Sequence, residues 1–98
     1  MQSTWKKNNT LMYTASYHGK WHENFDNLEN ETKIRIVKKI GRILEHPSGR
    51  HLGMGVKYFI AEVGQNRIAY DVLENQKEIR FYFVGDHKEY EKWYGKYF

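Results

Sequence analysis

The chain has no cysteine and a single proline among its 98 residues. The first absence excludes disulfides and thiolate metal sites. Nowhere does an apolar run approach the ~20 residues that cross a bilayer. Residues 1–10 are polar and hold no signal-peptide core. These absences point to a soluble, cytoplasmic protein with no membrane partner, whose residues 1–9 form a flexible tail. Three glycines between Ser48 and Gly55 evoke a phosphate loop, but the required Gly-Lys-Ser/Thr ending is missing. No Ser-His-Asp arrangement and no paired-carboxylate signature can be placed.

What is present is a small, basic, aromatic-rich chain. Its hydrophobic fraction of 40% suffices for one small core, so residues 1–98 read as a single domain. The net charge of +4 favours nucleic acid or an acidic protein as partner.

Thr10–Tyr17 alternates weakly and reads as an edge strand, which Gly19 breaks. Trp21, Phe25 and Leu28 recur at i, i+4 and i+7, the stripe of a first helix. Asn30 can cap a second helix, with Glu31 in its first turn, running to about His46 before Pro47 ends it. In that helix Ile36, Val37, Ile40, Ile43 and Leu44 share one side, and Arg35, Lys38, Lys39 and Arg42 the other. The four cations form either a solvated face or a phosphate-binding stripe.

Tyr58–Val63, Asn66–Leu73 and Glu78–Val84 are β-branched and aromatic with period two, and read as three strands. With turns at Gln65-Asn66 and Glu74–Lys77, one face collects Phe59, Ala61, Val63, Ile68, Tyr70, Val72, Ile79, Phe81 and Phe83. A slip of one residue would destroy that apolar face. The helices should cover it, leaving open a mixed face with Tyr58, Ile60, Glu62, Arg67, Ala69, Asp71, Arg80, Tyr82 and Val84. In this register Asp71 faces Arg80 as a cross-strand ion pair, and Arg67 faces Val84. His87 to Tyr97 reads as a short terminal helix.

Arg67 and His87 thus meet at one end of neighbouring strands. An arginine grips phosphate with a charged fork, and a histidine moves protons near neutral pH. The bland alternatives are an Arg67–Glu62 surface pair and a helix-capping histidine. Lys57, Lys88 and Tyr90 fall near the same end, where lysines draw in a nucleic-acid backbone. His18 and His22 have a metal-compatible spacing but no evident third ligand, so no metal or cofactor is expected.

In order and spacing, Phe25-Asp26-Asn27-Leu28, Lys33–Pro47, His51-Leu52-Gly53, Asn66–Tyr70 and Val84-Gly85-Asp86-His87 carry a family pattern. From about Leu11 onward the chain resembles the RelE/ParE superfamily of type II toxin–antitoxin toxins, in its RelE-like, mRNA-cleaving branch. The resemblance implies an α+β fold: two N-terminal helices packed on an antiparallel sheet of three to four strands, with a short C-terminal helix. It implies a ribosome-dependent endoribonuclease that uses the RNA 2′-hydroxyl without metal, and a cognate antitoxin as partner. The family's strand arginine falls on Arg67 and its acid on His87. A family tyrosine falls on Tyr90 or Tyr94, and a carboxylate base on Glu62. Lys57, Lys88, Arg50, Arg35, Lys38, Lys39 and Arg42 would bind RNA. Where some members carry two strand lysines, this chain has Phe59 and Ala61. The alternatives are a ParE-like inhibitor of DNA gyrase and an inactive RNA- or protein-binding module.

Overall fold

The computed structural model describes residues 13–47 and 58–95, and the backbone alone at 50–51. Residues 1–9, Lys57 and the Arg50 side chain, all named above, lie outside the described residues. The elements are β1 (Thr14–Tyr17), α1 (Trp21–Asp26), α2 (Asn30–Glu45), β2 (Arg50–His51), β3 (Phe59–Val63), β4 (Asn66–Leu73), β5 (Glu78–Asp86) and α3 (His87–Gly95). Among the described residues no helix is long and apolar enough to cross a membrane.

The architecture is α+β, as expected, with one five-stranded sheet in the order β1-β5-β4-β3-β2. The sheet is mixed and not purely antiparallel, because β1 runs parallel to β5. The two-residue β2 adds a further edge strand.

Helix α2 buries Ile36, Ile40 and Ile43 against the sheet, with Leu44 partly buried beside them. Val37 does not join them: it is 56% exposed. At about 100° per residue it stands 60–120° from those three, outside the buried arc. Nor does Asn30 cap the helix. It is the first helical residue, and the extended residue before it, Glu29, holds the cap position without a side-chain bond.

The β3–β4 turn is Gly64-Gln65, one residue earlier than the sequence suggested, because Val63 pairs with Asn66. Gly64 has φ +60°. A two-residue hairpin with positive φ only at its first central residue is a type II′ turn, which favours glycine there.

The larger departure is a β-bulge. Tyr70 pairs with Phe81 but Ala69 pairs with Phe83, so Tyr82 is the extra residue. From there the register shifts by one, and the expected faces of Phe83 and Val84 exchange. Val84 joins the main core of Trp21, Ile36, Ile68, Tyr70 and Phe81. Burial in this core pushes the Tyr70 phenol up to about 12. Phe83 moves to the opposite face and packs with Ile60, Ala69 and Tyr90. The mixed face is therefore not left open: α3 lies over it, carrying Tyr90, Trp93 and Tyr94. Gly85 makes this possible. A Cβ there would stand 2.8 Å from Phe83 Cζ and 2.7 Å from Glu89 Oε1.

The expected Asp71–Arg80 ion pair does not form, although the two residues do face each other. Arg80 Nε instead approaches Glu78 Oε2 at 3.4 Å, and Asp71 accepts a hydrogen bond from the Val72 N–H. Ser16 of β1 donates to Glu78 at 2.6 Å and so ties the edge strand to β5. That hydrogen bond, reinforced by Arg80, holds the Glu78 carboxyl below its usual value of 4.5. A lowered carboxyl stabilises the fold above its unfolded-state value and ceases to as pH falls through the folded-state value. The β1 amides should therefore lose hydrogen-exchange protection first on acidification below about pH 4.5. Ser16→Ala should remove most of that pH dependence.

A candidate anion site at the sheet end

Strand β4 places Arg67 directly after the type II′ turn, opposite Glu62 on β3 and Gly85 on β5. The guanidinium lies 4.8 Å above the Tyr90 ring, with Nε 3.8 Å from Glu62 Oε2. Arg67 is thus held by a ring beneath and a carboxylate beside, and remains 28% exposed. The bulge sets this arrangement: without it Arg67 would face Val84, as the sequence register had it.

His87 is the first residue of α3. The turn before it is locked by a reciprocal capping box, in which the Glu89 N–H donates to Asp86 Oδ1 and the Asp86 N–H donates to Glu89 Oε1, each at 2.9 Å. Asp86, not His87, is the cap. The His87 ring is 57% exposed, and its Nε2 lies 3.0 Å from Glu91 Oε2, an ion pair when the ring is protonated.

Both side chains open onto one hollow of about 490 Å³, lined also by Glu62, Lys88, Asn66 and Asp86. Of the residues singled out from sequence, the hollow brings together Arg67, His87, Glu62 and Lys88. Tyr90 lies under Arg67 and is 6% exposed, so its ring is a support and not a free stacking surface. Burial raises the Tyr90 phenol above its usual value while Arg67 pulls it the other way, so it stays protonated at neutral pH. Lys38, Lys39 and Arg42 of α2 do not line the hollow. Arg35 comes closer, since a methyl group at Gly64 would lie 4.0 Å from its Nη1.

Two features were missed. Glu91 stands four residues after His87 on a helix, the spacing at which side chains meet. Asp86 and Glu89 have capping-box spacing, with aspartate in the place of serine or threonine. Both signals are visible once α3 is taken to begin at His87.

An arginine fork and an imidazole around an open, water-accessible hollow suit an anionic group about the size of a phosphodiester. The guanidinium can neutralise charge on non-bridging oxygens, and the imidazole can give a proton to a bridging one.

No family model matches the chain, and no curated protein matches it in sequence. Solved structures do match in shape. The RelBE2 toxin–antitoxin complex of Mycobacterium tuberculosis superposes with TM-score 0.72 at 17% identity, covering 79% of this chain and 93% of that one. The isolated RelE toxin of E. coli gives 0.67 at 15% identity, over 88% and 99%. The archaeal RelE–RelB complex of Pyrococcus horikoshii gives 0.64 at 17%, over 76% and 94%. The chain has the fold of the RelE toxins.

Proposed function

We propose that the protein is the toxin of a type II toxin–antitoxin module and cuts messenger RNA on the ribosome. The observation that carries this reading is the shared hollow of Arg67 and His87, set in a RelE-type fold. In the proposed reaction the RNA 2′-hydroxyl loses its proton to Glu62 and attacks the adjacent phosphorus. The P–O5′ bond breaks, leaving a 2′,3′-cyclic phosphate. Arg67 stabilises the charge that builds on the phosphorane, where a fixed donor is worth most. His87 protonates the departing 5′-oxygen. With Nε2 beside Glu91 Oε2, Nδ1 is the ring nitrogen left to give that proton. Lys88 binds the RNA backbone beside the hollow, with Lys57 and Arg50 in the same role. Arg35, Lys38, Lys39 and Arg42 would meet ribosomal RNA along α2. The partner that silences the toxin would be an antitoxin whose acidic segment complements this charge.

Tyr90 acts here as a positioning residue for Arg67. Tyr90→Phe keeps the ring and should leave cleavage within about twofold of the parent. Tyr90→Leu removes the cation–π contact, worth ~1–2 kcal/mol, and should lower kcat about tenfold. Equal loss in both variants would point instead to a role for the hydroxyl.

The experiment for the function itself is primer extension on mRNA in a ribosome-driven translation mixture. Cleavage within translated codons that disappears without ribosomes supports the reading. Intact mRNA together with inhibited gyrase supercoiling would replace it with the gyrase reading.

A further inference from the structure

The bulge has a second consequence, on the other side of α3 from Arg67. Because Tyr82 is the extra residue, Tyr82 and Phe83 both turn toward the face that α3 covers. There they help form a separate hollow of about 460 Å³ between α1, β5 and α3. Lys20, Asn24, Tyr82, Glu89, Lys92 and Trp93 line it, and none of the six has a part in the proposed cleavage step. The aromatic wall is braced: Tyr58 packs on Tyr82 at 5.1 Å and on Trp93 at 5.3 Å.

What sets this hollow apart from the first is its aromatic lining of Tyr82, Phe83 and Trp93. Its described lysines, Lys20 and Lys92, and its carboxylate, Glu89, are all exposed, and the capping box anchors Glu89. The exposed lysines suit a phosphate passing the rim. Aromatic side chains accept the flat face of a base. The Asn24 amide and the Glu89 carboxylate offer acceptors to an exocyclic amino group.

We propose that this hollow binds one unpaired base of the RNA strand, a neighbour of the nucleotide cleaved at Arg67 and His87, with preference for a base bearing an exocyclic amino group. The proposal rests on the RNA reading above, but adds a site that cleavage chemistry does not require. Its role is substrate selection: a strand threaded past α3 has its phosphates on Lys20 and Lys92 and one base in the hollow.

The test uses the His87→Ala protein, so that RNA survives, and fluorescence anisotropy with labelled heptamers of adenylate or uridylate. The parent should bind oligoadenylate at least about threefold more tightly than oligouridylate. Tyr82→Leu should weaken oligoadenylate binding about tenfold, the scale of one lost stacked base. Asn24→Ala should erase the preference between the two heptamers. Lys20→Ala and Lys92→Ala should each reduce the salt slope by about one unit for both RNAs. Circular dichroism and Tm keep folding defects apart from binding defects. If Tyr82→Leu and Asn24→Ala both bind like the parent, or if the parent binds neither heptamer, the base site is overturned. If instead they lose only a protein partner while RNA binding is unchanged, it is overturned in favour of a protein-docking groove. Cleavage by the unmutated chain with RNA binding insensitive to Tyr82 and Asn24 removes this inference alone. Tyr82-sensitive binding without cleavage by the unmutated chain removes the nuclease reading and leaves the base site standing.

Discussion

Alanine in place of His87 is expected to slow mRNA cleavage ~10²–10⁴-fold, the usual range for loss of a positioned proton donor. The fold should survive, because the ring is more than half exposed and its neighbour Glu91 is itself 66% exposed. Loss of such an exposed helical pair costs only a few tenths of a kcal/mol. Arg67→Ala should lower kcat ~10²–10³-fold by the electrostatic argument. Arg67→Lys restores the charge without the planar fork and should recover only part of that loss. If, as proposed, the two groups serve one transition state, the double variant should fall well short of the product of the single losses. The measurement is single-turnover cleavage on programmed ribosomes, beside growth arrest on induction at matched expression. Full toxicity in both single variants would remove the site assignment.

The second large effect is structural and reaches the site through α3. Phe83 is 3% exposed, stacks on Trp93 at 5.3 Å and leans on Tyr90 at 6.0 Å. Phe83→Ala should cost ~3–5 kcal/mol if the whole domain senses the cavity. If α3 opens as its own unit, the global loss is smaller and the α3 amides lose exchange protection while β4 and the main core keep theirs. Either way His87 and Tyr90 are released from Arg67, so cleavage should fall even where the sheet is intact. Phe81→Ala removes the same chemical group from the main core and should unfold the domain as one, without selective loss in α3. Equal exchange patterns in the two variants would contradict the division into two cores.

Much of the fold was legible because period two and period 3.6 are written plainly in β3, β4 and α2. The apolar positions of β3 and β4 fell on the faces assigned to them, while Glu62 and Arg67, diagonal in the expected register, pair directly because the turn lies one residue earlier. The bulge was not legible. Tyr82, Phe83 and Val84 are all good strand residues, and nothing local says which of them will lack a partner. That choice is made by α3, which needs an aromatic on its own face, and by Gly85, which leaves space for it. The parallel pairing of β1 was likewise hidden, since a four-residue edge strand carries no signal of direction. At the site, side-chain type pointed to Arg67 and His87. Tyr90 was pointed to as well, but its place beneath Arg67, like the pairing of Glu91 with His87, depends on helix placement and emerges only once α3 is fixed.

The account turns on whether the guanidinium and the imidazole act together on one phosphodiester. The most direct measurement is the chemistry of the RNA ends made on programmed ribosomes, compared between the unmutated chain and the Arg67→Ala/His87→Ala double variant. The account predicts 2′,3′-cyclic phosphate and 5′-hydroxyl ends from the former and intact message from the latter. Ends bearing a 5′-phosphate and a 3′-hydroxyl, or the same cyclic ends at the same rate from the double variant, would contradict it.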